Sequence, residues 1–193
     1  MSGYLELFIG PVNSPITFRL KQLYNEYKTI HSSIVIINKC SRCKDCKNCK
    51  NCLGDNCCII KTDNLMDVWT EHISLEDGLA ISEKDRNIFK VAASKVIFID
   101  EGHLFSDLIE FVELLLKDGK SVYVCGLDGD FERKKIGNIL DLIPMCDKVS
   151  KLTSFCQICK DGTLGIFTKR LKTNVFCCDY TDIAVCRKCY EDK

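Results

Sequence analysis

Four apolar runs in this chain have strand length, and amphipathic stretches of helical length lie between them: LELFIG (5 to 10), SSIVIIN (32 to 38), KVIFID (95 to 100) and KSVYVCGLDGD (120 to 130). Near-continuous apolar runs suit strands buried on both faces, which is the condition of a parallel sheet. FRLKQLYNEYKTI (18 to 30) places Leu20, Leu23, Tyr24 and Tyr27 on one helical face. SDLIEFVELLLKDG (106 to 119) is also amphipathic, with Asp107 and Glu110 in capping-box spacing and Gly119 as a stop. Strand and helix alternate, so an α/β fold with a mostly parallel sheet covered on both faces is predicted. Ligands of such sheets bind beyond the carboxyl ends of the strands. Two segments stand there: GPVNSPIT (10 to 17) and Asp100-Glu101.

GPVNSPIT follows a strand and opens a helix, as a phosphate-binding loop does. Such a loop ends in Ser-Gly-Lys-Thr so that backbone N–H groups and an ammonium surround the phosphates; here Ser14-Pro15-Ile16-Thr17 occupies that place. Taken alone, it reads as an ordinary turn and helix start. VIFIDE ends in two acids, a pattern in which the first carboxylate holds Mg²⁺ and the second takes a proton. Taken alone, it is equally a strand ending in a charged turn.

Lys+Arg and Asp+Glu both number 27, so no long-range field selects nucleic acid or membrane as a partner. No run approaches the roughly 18 apolar residues of a spanning helix, and no basic-then-apolar leader opens the chain. A soluble, cytoplasmic protein is expected, and in that setting fifteen cysteines suggest metal rather than disulfides. Cys156-x-x-Cys159 and Cys186-x-x-Cys189, 26 residues apart, form two knuckles with the spacing of a structural zinc site, in which four thiolates leave no open position. Cys125 and Cys146, set in apolar sequence, read as small core residues. Cys40, Cys43, Cys46, Cys49 and Cys52 recur every third residue, followed by Cys57 and Cys58, in a polar segment with no apolar face of its own. A second zinc or thiolate cluster, an iron–sulfur cluster and a reduced, flexible loop are all open readings of it. It has no interleaved aromatics to suit nucleic acid. A length of 193 residues accommodates a main domain, 1 to 150, carrying this insertion at 40 to 58, and a small zinc-binding domain, 151 to 193.

The longer strings VIFIDEGHLFSDLIEF, GLDGDFERK, IPMCDKVSKLTSFCQIC, FTKRL and AVCRKCY, in this order, resemble the type II thymidine kinases. The resemblance covers nearly the whole chain and is weakest between residues 40 and 94. It implies a RecA-like P-loop domain, a small zinc-bearing lasso that closes over the nucleoside, and a homotetramer. It implies transfer of the γ-phosphoryl of ATP to the 5′-hydroxyl of thymidine, with Mg²⁺ and a carboxylate base. By this likeness Glu101 is the catalytic base. Gly10, Ser14, Thr17, Asp100 and Arg170 face the nucleotide and its Mg²⁺. Phe131, Thr168 and position 182 face thymidine or another nucleoside, and Cys156, Cys159, Cys186 and Cys189 bind zinc.

The departures are as specific as the matches. The loop's glycine and lysine are Pro15 and Ile16: Ile16 has no charge to offer a phosphate, and Pro15 has no N–H and biases Ser14 away from helical geometry. One missing preorganised donor removes about 3 to 4 kcal/mol of transition-state stabilisation. On the nucleoside side, the family's Met is Val12, its Gln is His103 and its Lys-Pro-Phe is Lys134-Lys135-Ile136. In the lasso, two glycines become Cys177 and Cys178 and a tyrosine becomes Asp182, with Tyr180 two positions away. The sequence therefore predicts an impaired thymidine kinase or a pseudokinase that assembles with or modulates a partner. The alternatives are an active kinase in which another cation, Arg19 or a lysine of 40 to 58, replaces the lost one, and a metal or redox sensor built on Cys40 to Cys58.

Overall fold

The computed structural model describes residues 3–31, 33–39, 59–69, 82–172 and 180–192. The cysteine stretch 40 to 58 and the pair Cys177 and Cys178 lie outside them. The main sheet is parallel throughout. It contains β1 (Tyr4–Gly10), β2 (Ile34–Asn38), β3 (Ile59–Lys61), β4 (Val96–Asp100), β5 (Ser121–Leu127) and β6 (Lys148–Lys151), in the order 3-2-4-5-1-6.

Alternation along the strands divides the core. Leu5, Leu7, Ile9, Val35, Ile37, Ile97, Ile99, Val122 and Val124 fill one face, beneath α3 (Leu108–Lys117), with Val91 added from α2 (Glu83–Ala93). Phe8, Ile34, Ile36, Val96, Phe98, Tyr123 and Cys125 fill the other, beneath Ile16, Leu20, Leu23 and Tyr24 of α1 (Ile16–Lys28). Each such aliphatic or aromatic burial contributes about 1.5 to 3 kcal/mol, and the central strands β2 and β4 have no polar face to give to solvent.

The predicted elements form with trimmed ends, except that the capping box expected at Asp107 and Glu110 is absent. Asp107 is the N-cap of α3 without a side-chain cap bond; its Oδ2 accepts instead from the Met66 N–H at 2.8 Å, tying α3 to the 3-10 turn Leu65–Val68. A capping box does occur at α2, where no helix was expected: Ser82 Oγ accepts from the Asp85 N–H at 3.1 Å and Asp85 Oδ2 from the Ser82 N–H at 3.2 Å. Gly119 ends α3 with φ 72 as expected.

Beyond β6 the chain builds two small antiparallel pairs, β7 (Ser154–Phe155) with β8 (Leu164–Gly165) and β9 (Phe167–Lys172) with β10 (Tyr180–Val185), followed by α4 (Arg187–Glu191). Their core is Ile183 and Val185 packed with Cys156, Cys186 and Cys189, and with Phe167 and Tyr190 at the margin. No helix among the described residues is long and apolar enough to cross a membrane.

Candidate functional site

β1 ends at Gly10, and the chain turns back at once. A Cβ at Gly10 would lie 2.5 Å from the Leu152 carbonyl oxygen and 2.7 Å from Ser14 Oγ, so glycine is what lets the loop close on the end of the sheet. Ser14 donates both its N–H, at 3.2 Å, and its hydroxyl, at 2.6 Å, to the Pro11 carbonyl. The Val12 N–H donates to Thr168 Oγ1 at 3.2 Å, joining the loop to β9. Pro11 and Pro15 have no N–H, so four of the loop's five residues, 11 to 15, offer no uncommitted backbone donor. Ile16 is buried among Phe8, Leu20 and Tyr24.

Thr17, in the first turn of α1, donates its hydroxyl to Asp100 Oδ1 at 3.3 Å. Asp100 ends β4 and is 3% exposed. Oδ1 also accepts from the Glu101 N–H at 3.1 Å and from the Cys125 thiol at 2.9 Å, while Oδ2 accepts from Asn38 Nδ2 at 2.9 Å. Cys125 is thus buried, as expected of a core residue, but its thiol also contacts the site; Cys146 is only partly buried. Burial pushes the Asp100 carboxyl above its ordinary range, against the bonds from Cys125, Thr17 and the Glu101 N–H and the charge of Lys21. The folded chain therefore keeps this proton at a pH where the unfolded chain has lost it. The resulting stability is lost as pH rises through the interval between the two values, and stays lost above it. Asp100→Asn should accordingly melt at a higher temperature than the unmodified chain in metal-free buffer at pH 7, the difference vanishing below the ordinary carboxylate pKa. Calorimetry at both pH values checks this.

Glu101 follows in the left-handed region, φ 56, which turns its side chain out of the strand. It is 41% exposed, with Oε2 3.6 Å from His103 Nε2. His103 is buried, and its Nδ1 accepts from the Leu127 N–H at 3.1 Å, which leaves Nε2 as the protonated nitrogen of the neutral ring facing Glu101. Gly137, at φ 54, makes room for this segment: a Cβ there would lie 2.0 Å from the His103 carbonyl oxygen.

A second group forms across β9 and β10, where Arg170 and Asp182 are register partners. The carboxylate receives Arg170 Nε at 2.7 Å and Nη2 at 2.8 Å, and the guanidinium stacks over the Phe131 ring with its carbon 3.9 Å from the centroid. Tyr190 Oη donates to the Phe131 carbonyl at 2.8 Å, so the small lobe holds Phe131 from two sides. The structure thus places Arg170, expected near the nucleotide, upon two of the three residues expected at the nucleoside, Phe131 and Asp182.

The four cysteine sulfurs of the small lobe lie within 4.8 Å of one another, with Cys159 3.4 Å from Cys189 and 3.8 Å from Cys186. Four sulfurs about 2.3 Å from a tetrahedral zinc stand about 3.8 Å apart, so the cluster fits that ion. The Cys159 N–H points to Cys156 Sγ and the Cys189 N–H to Cys186 Sγ, each at 3.5 Å. Burial opposes ionisation of Cys156, but the N–H groups of Cys159, Cys186 and Ile158 outweigh it and bring the thiol down to about 6. A thiolate is available there at neutral pH.

Three residues at the site carried no sequence signal that was recognised. Asn38 and Asp100 are register partners at the ends of neighbouring strands, and a polar residue closing an apolar run was the available clue. Cys125 looked like filler. Lys21, four residues after Thr17 on α1, acts with its charge on Asp100, whereas Arg19, the cation expected in place of the lost lysine, donates to Gln22 Oε1 at 2.9 Å and lies 6.0 Å from the Phe8 ring centroid.

A parallel sheet with a loop after β1, paired acids after β4 and a four-cysteine lobe defines a nucleotide-binding α/β protein of the P-loop kind with a zinc-type accessory domain. A family model described as thymidine kinase matches residues 3–190. The thymidine kinases of Variola virus (isolate Human/India/Ind3/1967) and Vaccinia virus (strain Western Reserve) are each 32% identical over 197 residues, covering 98% of both chains. That of Monkeypox virus is 31% identical over 195 residues, with the same coverage. The chain belongs to the thymidine kinase family.

Proposed function

We propose that the chain catalyses the family reaction slowly, as a thymidine kinase with a weakened phosphate cradle. The observation carrying this reading is the loop itself: two prolines, two N–H groups already bonded within the protein, and an isoleucine buried where an ammonium would face phosphate. Phosphoryl transfer depends on positioning and charge stabilisation, so these losses act on the barrier directly.

In the reaction the 5′-oxygen of thymidine forms a bond to the γ-phosphorus, the bond from that phosphorus to the β,γ-bridging oxygen breaks, and ADP leaves. Glu101 takes the hydroxyl proton; its partly exposed carboxylate is held by a fixed backbone and faces the His103 N–H. Asp100 and Thr17 offer hard oxygen donors suited to Mg²⁺, which when bound supplies positive charge to the phosphates. Phe131, under Arg170, and Thr168 with the loop would border the base. The guanidinium held by Asp182 covers the ring on which a base could stack, so thymidine recognition is altered as well.

The test is transfer from ATP to thymidine by the unmodified chain and by Glu101→Gln. Slow transfer that falls by about a hundredfold or more in the variant is expected for loss of a general base. Rapid turnover by the unmodified chain would refute the weakened cradle. Equal residual rates in both proteins would remove Glu101 from its role.

A further inference from the structure

We propose that Tyr190 is a positioning residue for the nucleoside, fixing the segment that carries Phe131; this rests on the thymidine kinase reading above, in which Phe131 borders the base. Tyr190 directly follows the last cysteine of the cluster, and its N–H donates to the Cys186 carbonyl at 2.9 Å, so the cysteine knuckle sets its place. From there its side chain crosses to the main domain. The hydroxyl donates to the Phe131 carbonyl at 2.8 Å, and the ring lies against the Arg133 guanidinium, whose carbon is 4.6 Å from the centroid. Phe167 packs against the same ring, centroids 5.3 Å apart, and its own centroid is 5.7 Å from the Arg133 carbon. One side chain of the small lobe thus grips the segment after β5 twice, at the backbone of Phe131 and at the side chain of Arg133.

The segment is shaped to be held. Asp130 Oδ1 accepts from the Glu132 and Lys134 N–H groups, each at 2.8 Å, while the Arg133 N–H donates to the Asp130 carbonyl at 3.0 Å and the Asp130 N–H to the Lys134 carbonyl at 2.9 Å. The turn closed in this way sets Arg133 at φ 64, in the left-handed region that long side chains rarely adopt. Residues held at such angles cluster at ligand clamps and active sites. Arg133 is exposed, and a cation over an aromatic face keeps its attraction in water. The ring of Phe131 meets a different partner, the Arg170 guanidinium at 3.9 Å. Tyr190 therefore fixes the backbone of Phe131 while Arg170 covers its ring. Thr17 and Asp100, which the same reading gives to the nucleotide, belong to α1 and β4, so loss of the grip falls on the nucleoside rather than on ATP.

Initial rates and calorimetric titration of the full chain, with thymidine and with ATP, test this. Tyr190→Phe keeps the ring and removes the hydroxyl; it should raise the KM and Kd for thymidine about fivefold, with kcat and the KM for ATP held within about twofold. Tyr190→Leu, which removes the ring as well, should raise them about tenfold or more. Arg133→Met should raise them about threefold alone and have no further effect in a chain already carrying Tyr190→Leu, and Arg133→Lys, which keeps the cation, should restore most of the loss. The zinc content of Tyr190→Phe should match that of the unmodified chain. Unchanged thymidine affinity in both Tyr190 variants would overturn the proposal. An equal loss for ATP accompanied by lost zinc would also overturn it, as the mark of a residue that only holds the lobe together. If the unmodified chain takes no thymidine at all, the kinase reading fails by itself. Amide exchange at Arg133 and Lys134 then decides the grip: faster exchange in Tyr190→Leu supports it, and unchanged exchange overturns it.

Discussion

Pro15→Gly combined with Ile16→Lys should raise ATP-dependent phosphorylation of thymidine by about a hundredfold or more, the scale on which one preorganised charge donor acts in a transition state. Each change repairs a different part of the same loop. Ile16→Lys places an ammonium at the start of α1, but Pro15 before it still withholds an N–H and fixes the backbone that aims the helix start. Pro15→Gly frees that backbone, yet offers phosphate no new charge. The double variant should therefore exceed the product of the single gains, a coupling expected of residues that shape one structure. Initial rates at saturating ATP and thymidine, measured for all four proteins, give the coupling directly. A double variant no faster than the unmodified chain would mean that the loop is not what limits the reaction. If nucleotide binding improves while turnover does not, the remaining obstacle lies at Arg170, Asp182 and Phe131, where the guanidinium covers the ring.

The same loop shows what sequence can and cannot convey. That Pro15 lacks a donor and Ile16 lacks a charge follows from residue type alone. That Val12 and Ser14 have also committed their N–H groups does not, because the partners are a threonine far along the chain, Thr168, and the carbonyl of Pro11. Four of the six strands were legible because they are buried on both faces and so are almost continuously apolar, whereas the edge strand β6, Lys-Val-Ser-Lys and largely exposed, carried no such signal; the alternation of the buried strands between two cores is invisible in a run such as VIFID. The N-terminus of α3 misled for a related reason. Asp107 has capping-box spacing, but a backbone N–H from the turn at Leu65–Val68 takes its carboxylate, and a tertiary bond displaced the local one. At the lasso, the Tyr-to-Asp change at 182 suggested a lost contact. Only the β9–β10 register reveals that Asp182 gains a bidentate partner in Arg170.

Cys186→Ser should remove zinc from the purified chain and unfold the small lobe while leaving the main sheet intact. Among the described residues, the lobe's buried core cluster has five members, of which three are cysteines of the metal-type cluster and the others are Ile183 and Val185. Two aliphatic burials of about 1.5 to 3 kcal/mol each fall well short of the conformational entropy of ordering a lobe of this size. Structural zinc contributes about 10 to 16 kcal/mol of apparent binding energy in small domains, enough to decide folding. Cys186 also closes its own knuckle through the Cys189 N–H and caps α4, so serine loses a metal ligand and weakens the helix start together. The consequence reaches the reaction site, because the lobe supplies Thr168 to Val12 and both Tyr190 and Arg170 to Phe131. Elemental analysis should show the zinc lost, and amide exchange should show protection lost across β9, β10 and α4 but retained in β1, β4 and β5. Acid should act like the substitution, since protons compete with the metal for thiolates. Cys146→Ser, remote from the cluster, should keep its zinc. A Cys186→Ser chain that holds no zinc yet protects β10 and α4 as well as the unmodified protein would show that the lobe folds without metal.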